Sequence, residues 1–202
     1  MLIKRLTGMM LMVCLLLVST VCLADHNDLR WGMNCEEVQK VMGEKAVISR
    51  VDILDRNDKW TCARYPKQKI SKFTAEMTLY YVEGSLHSKV FHFAVNNKDR
   101  SSYQYLSKAL TKKYGNASLD NSRRSDREKV KDYIVPIVQV YGKDLDSPEE
   151  NENLAYRQFD SDNVTFMIWD EDDTYIILNC SQGLEKYIKV GYISKYYDLD
   201  GL

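Results

Sequence analysis

Residues 29–43, LRWGMNCEEVQKVMG, contain a complete helix signal with a start, an apolar face and a stop. Asn34 can accept hydrogen bonds from backbone N–H groups of the first turn, and Glu37, three residues later, completes the pattern of a capping box. Gly43 can adopt the left-handed backbone conformation that ends many helices. The stretch therefore predicts a short helix between Asn34 and Gly43, with an apolar face formed by Val38, Val41 and Met42.

The segment that leads into this helix alternates apolar and polar side chains, with Leu29, Trp31 and Met33 at the apolar positions. A period of two is typical of an extended segment whose side chains point to opposite sides. We expect Trp31 to lie beside the helix and to fasten it to a sheet, because an indole buries a large apolar area. We therefore expect this segment to hold the helix against the hydrophobic core, and it contains no catalytic motif.

The first 24 residues have the three parts of an export signal. Lys4 and Arg5 form a basic start, residues 9–18 are an almost unbroken apolar run, and residues 22–24 fit a small-x-small cleavage site. The run is shorter than the about 20 apolar residues of a transmembrane helix. We expect cleavage near Ala24 and a periplasmic or secreted protein.

Lipidation of Cys22 is the alternative to cleavage after Ala24, and it would anchor the protein to the envelope. A small residue is expected just before a lipidated cysteine, whereas Val21 precedes Cys22 here. We therefore favour plain cleavage. Contact with a membrane is expected only if Cys22 is lipidated.

The charge balance argues against a nucleic-acid partner. After removal of Lys4 and Arg5 with the signal, 26 basic residues remain against 29 acidic residues, which gives a net charge of −3 with the histidines neutral. Nucleic-acid binding usually needs a basic patch or stripe. Residues 116–132 are rich in bases and could form an anion-binding arm, but acids are interleaved and no aromatic residue accompanies them. We expect a solvated loop or a frayed helix there.

Three cysteines remain after export, Cys35, Cys62 and Cys180. In an oxidising compartment we expect one disulfide and one free thiol, and Cys35 with Cys62 is the preferred pair because they lie closest in the sequence. The chain has no Cys-x-x-Cys motif and no Cys/His cluster, so we expect no metal site.

The clearest strand signal is a hairpin formed by residues 73–82 and 86–95. Glycine in the Glu83-Gly84-Ser85 turn suits the positive φ that tight hairpin turns need. Both faces of the second arm carry apolar side chains, which predicts a central position in the sheet. The remaining strands predicted in this half are residues 46–54 and 60–65.

A second helix is predicted over residues 101–114, where large apolar side chains recur at helical spacing and Gly115 supplies a stop. Residues 133–141 have strand character, with Pro136 marking an edge or a bulge. An acidic loop is predicted at residues 144–153. The remaining predicted strands are residues 154–159, 164–169, 174–180 and 187–196.

Both halves follow the same order, a short helix that ends at glycine and then strands rich in hairpins. A unit of one helix and one antiparallel meander cannot bury both faces of its sheet alone. Pairing two such units solves that problem. We therefore predict an α+β fold of two repeated units, each a short helix packed on an antiparallel β-sheet. The predicted units are residues 25–98 and 99–202, with one continuous domain as the alternative.

Three short motifs resemble features of small exported bacterial proteins: W-G-M-x-x-E-E-V at residues 31–38, L-x-x-K-Y-G at residues 110–115, and Tyr192-Ile193-Ser194. The modules of those proteins are similar to the β-lactamase-inhibitor-protein fold and to the small outer-membrane-assembly lipoprotein domain. The resemblance implies export, a helix layer on an antiparallel sheet, and binding to another protein. It implies no catalytic residues.

The motifs of common enzyme chemistries are absent from the sequence. There is no G-x-S-x-G elbow, P-loop, H-E-x-x-H or dinucleotide fingerprint. His87 and His92 are five residues apart on one predicted strand, which should separate them to opposite faces. The four acids at residues 170–173 lack the spacing of a calcium loop and predict a solvated hairpin tip. We expect no cofactor and no enzyme, with a hydrolase of dispersed active site as the third hypothesis.

The favoured function is binding to another envelope or extracellular protein, because tyrosine gives contact area at low entropic cost. A structural or assembly lipoprotein of the envelope is the alternative. For any single tyrosine, a half-buried place in the sheet remains the simpler interpretation. The predicted surface residues are Trp31, Tyr80, Tyr103 and Tyr192.

Overall fold

Capping residues begin and end the first helix as the sequence predicts. The computed structural model describes residues 28–43, 47–50, 60–70, 72–94, 100–141, 147–183 and 186–195. Within it, helix α1 spans Cys35–Met42, and the Asn34 side chain accepts from Glu37 N at 3.0 Å while Asn34 N donates to Glu37 Oε2 at 2.9 Å. Gly43 ends the helix with φ of 63°. The predicted signal peptide and Cys22 lie outside the described residues.

Substitution of Asn34 tests directly whether the capping residue stabilises helix α1. Asn34→Ala is expected to lower the free energy of unfolding by about 1 kcal/mol, because the backbone N–H of Glu37 loses its side-chain partner. Chemical denaturation followed by circular dichroism measures the change. Lys40→Ala, in the same helix, is the control and should change stability by less than about 0.5 kcal/mol. Equal losses in both variants would show that the cap contributes nothing specific.

Within the described residues, the first half of the chain supplies four antiparallel strands: β1 (Val47–Arg50), β2 (Trp60–Ile70), β3 (Phe73–Val82) and β4 (Ser85–Phe93). The turn between β3 and β4 has positive φ at Glu83 (51°) and at Gly84 (80°), which suits the twist of a tight hairpin. The predicted hairpin is confirmed. Strand β4 lies between β3 and the last strand, β8 (Lys186–Ser194), so its predicted central position is also confirmed.

The second helix is confirmed as α2, Arg100–Tyr114, and Gly115 ends it with φ of 81°. The two-residue strand β5 (Leu119–Asp120) and a 3-10 helix (Arg124–Tyr133) follow. The prediction of a loop or frayed helix over residues 116–132 is thus replaced by an ordered element. Asp126 is buried there, and it pairs with Arg123 at 2.8 Å and with Lys129 at 3.0 Å.

Two predicted strands are wrong. Residues 133–141 mostly form helix α3 (Ile134–Tyr141), and Pro136 fits it because first-turn N–H groups have no partner within the helix. Residues 154–159 belong to helix α4 (Pro148–Phe159), which also replaces most of the predicted acidic loop. Ser147 caps this helix by accepting from Glu150 N at 3.1 Å, and Pro148 takes the favoured first position.

The last three strands complete a single eight-stranded sheet in the order β1-β2-β3-β4-β8-β7-β6-β5. All neighbouring pairs are antiparallel, and β4 and β8 join the two halves, with Phe91 opposite Val190. The predicted α+β class with an antiparallel sheet is confirmed. These strands are β6 (Val164–Asp170), β7 (Thr174–Gln182) and β8 (Lys186–Ser194).

Helices cover the two faces of the sheet differently. On the face that we call the first face, α1 and α2 pack over a hydrophobic cluster that includes Val38, Leu79, Phe91 and Leu110. On the opposite, second face, the described helical elements are the 3-10 helix, α3 and α4, and they pack over strands of the second half. Residues of this second cluster include Val130, Ile137, Phe159, Phe166 and Ile177.

The predicted disulfide between Cys35 and Cys62 is contradicted. In the part of the chain that the structure describes, no disulfide joins any two of Cys35, Cys62 and Cys180. Cys35 packs at the first face, where its thiol lies beside Tyr81, whereas Cys62 pairs with Tyr80 and points to the second face. The sheet lies between the two sulfur atoms. Closeness in sequence does not show on which face of the sheet each cysteine lies, so it could not exclude this pair.

Candidate binding surface

Two of the four predicted surface residues meet on the first face. The Lys89 ammonium lies 4.7 Å from the ring centre of Trp31 and 5.7 Å from that of Tyr192, so both aromatic rings flank one cation. The Trp31 indole N–H also donates to Thr174 Oγ1 at 2.9 Å. Both rings are half-buried and pack against the first cluster. These contacts join the segment before α1 to strands β4, β7 and β8.

Tyr103 lies apart from that pair. It projects from α2 onto the first face, and its hydroxyl is buried without a hydrogen-bond partner in the described part of the chain. Burial raises the pKa of Tyr103 well above its usual value, and Asp120 and Cys180 act in the same direction. The geometry makes Tyr103 a packing residue of the helix layer.

Tyr80 lies on the second face, away from the other three. It stands opposite Cys62 on β2 and Ser88 on β4. Burial raises the pKa of Tyr80, and Cys62 and Glu76 add to this effect while Arg64 opposes it. The predicted set therefore does not form one surface, because alternation along the strands divides it between the two faces.

The surroundings of Tyr80 are polar. Four more side chains of the second face lie on adjacent strands: Arg64 on β2, Glu76 on β3, His92 on β4 and Lys189 on β8. Arg64 and Glu76 are exposed, and the other three members are half-buried. We call Arg64, Glu76, Tyr80, His92 and Lys189 the polar patch.

One row of the patch crosses the middle of the sheet. The register pairs Glu76 with His92, His92 with Lys189, and Lys189 with Asn179 of β7. Directly opposed side chains have Cβ atoms about 4.5–5.5 Å apart, so neighbours in such a row are in contact range. The buried residues around the row are of mixed character: Thr78 and Ser88 are polar, whereas Cys62 and Val90 are apolar.

Asn179 closes the row and is fully buried, with 0% of its surface exposed. Neither its side-chain oxygen nor its side-chain nitrogen forms a hydrogen bond to any part of the chain that the structure describes. A buried amide without partners costs about 1–3 kcal/mol. Such a group needs an explanation, and its position opposite Lys189 connects it to the polar patch.

The two cations of the patch act on His92. Burial, together with the nearby cations Lys189 and Arg64, lowers the pKa of His92 from 6.5 to about 4. His92 is therefore neutral at pH 7 and can donate one hydrogen bond and accept another. The Arg64 side chain is exposed.

The acids of the turn after β6 have structural partners. Asp170 pairs with Lys195 and accepts from the Tyr133 hydroxyl at 3.1 Å. Asp173 accepts from the Thr174 hydroxyl at 2.7 Å. Among the described residues, no group of three His, Cys, Asp or Glu side chains could hold a metal ion. These contacts hold the ends of β7 and β8 together, and the two acidic side chains do not converge on one point.

Sequence reasoning found one member of the patch, Tyr80, and missed the rest. His92 was considered only as a metal ligand, and Arg64 and Lys189 were not considered. Alternation alone puts His92 and Val90 on one side of β4, but it does not say which strand lies beside β4. The pairing of β4 with β8, distant in sequence, is what brings Lys189 to His92.

In the described ranges, no helix has the length and apolar character needed to cross a membrane. No protein-family model, curated protein or solved structure matches this chain. The resemblance of residues 31–38 to exported bacterial modules accordingly stays a prediction that rests on the sequence.

Proposed function

We propose that this chain is an exported, non-catalytic module that binds another envelope or extracellular protein through the polar patch on the second face of its sheet. The observation that carries the proposal is the different packing of helices along that face. Among the described residues, helices pack over it at β6 and β7, whereas Cys62 of β2 and Val90 of β4, which lie on the same face, belong to neither hydrophobic cluster.

The composition of the patch supports an interface. Tyr80 contributes a large ring that is half-buried. Tyrosine and arginine are enriched where proteins bind each other, because they combine contact area with hydrogen bonding. The strands beneath are held by antiparallel pairing on both sides, so the patch has little backbone freedom to lose on binding.

The test compares two tyrosines on opposite faces. The wild-type protein, Tyr80→Ala and Tyr192→Ala are each tagged and used to capture partners from an envelope extract, with retained proteins quantified by mass spectrometry. We expect Tyr80→Ala to reduce retention of a stoichiometric partner by about tenfold or more. Tyr192→Ala should retain it, because Tyr192 packs at the first face beside Phe91.

Thermal unfolding of each bait shows that both variants are folded. Equal retention by wild type and Tyr80→Ala would reject the polar patch as the interface. Failure of every folded bait to retain a stoichiometric partner would reject the binding function itself.

A further inference from the structure

His92 lies on the strand pair that joins the two halves of the described sheet. Strand β4 belongs to the first half and β8 to the second, and their register places His92 directly opposite Lys189. We call this pair of strands the seam. Both side chains project from the second face and are half-buried. A charge that forms on His92 therefore acts on the connection between the two halves.

Charged and titratable groups of the neighbouring strands surround the His92 imidazole. Glu76 of β3 stands opposite it on one side, and Lys189 of β8 stands opposite it on the other. Arg64 lies on β2, the strand beyond β3. Lys189 Nζ lies 4.7 Å from the ring centre of Tyr187, which is two residues earlier on the same face of β8. A contact of this kind is made by the charged form of lysine.

Burial and the two cations outweigh the carboxylate of Glu76 in their effect on His92. Burial is the largest cause of the lowered pKa of His92, which falls from 6.5 to about 4, and Lys189 and Arg64 act in the same direction. Glu76 is exposed, so water and salt screen its attraction for a protonated imidazole. At pH 7 the imidazole is neutral, and β4 and β8 meet without repulsion between His92 and Lys189.

We propose that the seam is an acid-sensitive joint: a proton taken up by His92 places a positive charge directly opposite Lys189 and weakens the pairing of β4 with β8. Like charges that stand directly opposite each other destabilise a pair of strands. The half-buried position adds to this effect, because a charge there loses part of its hydration. The joint acts in the free protein and needs no bound partner.

Contacts on the first face hold the two halves together when the seam weakens. The first hydrophobic cluster crosses the seam, with Leu79 in the first half and Leu178 in the second. The Trp31 indole also donates to Thr174 Oγ1 at 2.9 Å across the same boundary. None of these four side chains titrates between pH 7 and pH 4. Acid should therefore loosen the seam at the second face without separating the halves.

The lowered pKa fixes the pH range of the effect. Unfolded histidine has its ordinary pKa of 6.5, so between 6.5 and about 4 the unfolded chain binds this proton and the folded protein does not. His92 therefore contributes stability above pH 6.5, and this contribution is lost as the pH falls to about 4. Through His92 alone, the folding equilibrium constant at pH 4 should be about a hundredfold lower than at pH 7.

The test is urea denaturation of the purified protein at pH 7 and pH 4. Glutamine in His92→Gln can donate and accept a hydrogen bond but takes up no proton, so its drop in folding equilibrium constant should be about a hundredfold smaller than that of the wild type. Lys189→Gln should reduce the drop by a smaller factor and raise the pKa of His92 measured by NMR. Lys112→Gln, an exposed lysine of α2, is the control and should keep the wild-type drop.

Hydrogen exchange of backbone amides at pH 5 locates the effect. In the wild type the amides of β4 and β8 should lose protection relative to those of β6 and β7, and in His92→Gln they should keep it. Equal drops in stability between pH 7 and pH 4 in wild type and His92→Gln would overturn the proposal, as would loss of protection spread evenly over all four strands. If His92→Gln does not fold at pH 7, an unchanged drop and an unchanged His92 pKa in Lys189→Gln would reject it.

Discussion

Replacement of Trp169 by alanine is expected to lower the free energy of unfolding by about 3–5 kcal/mol. Trp169 is 1% exposed and lies in the first hydrophobic cluster, opposite Ile176. Removing the indole leaves a cavity that the surrounding strands and α2 cannot fill completely, because native cores are close-packed. The loss should appear as a lower denaturation midpoint in urea with little change in the slope.

The indole also has a polar role. Its Nε1–H donates to Gly115 O at 2.9 Å, at the end of α2, where helix carbonyl groups lack partners within the helix. Trp169→Phe keeps most of the ring and removes only this donor, so a smaller loss of about 1–2 kcal/mol is expected. If the two variants lose the same stability, the hydrogen bond to α2 and not the packing would dominate the contribution of Trp169.

The first half of the chain could be predicted from sequence because its signals are local. Asn34, Glu37 and Gly43 mark both ends of α1 within nine residues, and Gly84 marks the hairpin turn. Each of these residues acts on the backbone next to it. No knowledge of distant contacts was needed for α1 and for the hairpin of β3 and β4, which agree with the structure. Most of the strand predicted over residues 46–54 lies outside the described residues.

The segment of α3 shows where local signals mislead. Its β-branched residues, such as Ile134 and Ile137, have high strand propensity, and strand propensity is strongly dependent on packing. The spacing of the buried residues Val130, Tyr133 and Ile137 is helical, and it could have corrected the prediction. The contact between this face and β7 overrides the intrinsic preference.

The candidate site could not be predicted for a different reason. Arg64, His92, Lys189 and Asn179 come from four strands, and only the order of strands in the sheet makes them neighbours. The same limitation explains the disulfide error, since Cys35 and Cys62 lie on opposite faces. Alternation gives the relative face of residues within one strand, whereas a site depends on the register between strands.

Two buried asparagines should respond to substitution by leucine in opposite ways: one variant is expected to lose stability and the other to gain it. Asn121 and Asn179 both adjoin Phe166, the first as an acceptor from Phe166 N at 3.0 Å and the second as its cross-strand neighbour. Asn121 also donates to Val164 O at 2.7 Å. Its amide therefore has good partners, whereas the Asn179 amide has none in the described structure.

Asn121→Leu is expected to lower the free energy of unfolding by about 2–4 kcal/mol, because two buried backbone groups lose their hydrogen bonds. Asn179→Leu is expected to raise it by about 1–3 kcal/mol, because leucine, which has the same branching and number of heavy atoms, removes a buried polar group that no hydrogen bond from the described residues compensates. Urea denaturation of the two variants and the wild-type protein measures both changes under one set of conditions. A loss of stability in Asn179→Leu as large as that in Asn121→Leu would mean that the Asn179 amide has a partner in the free protein.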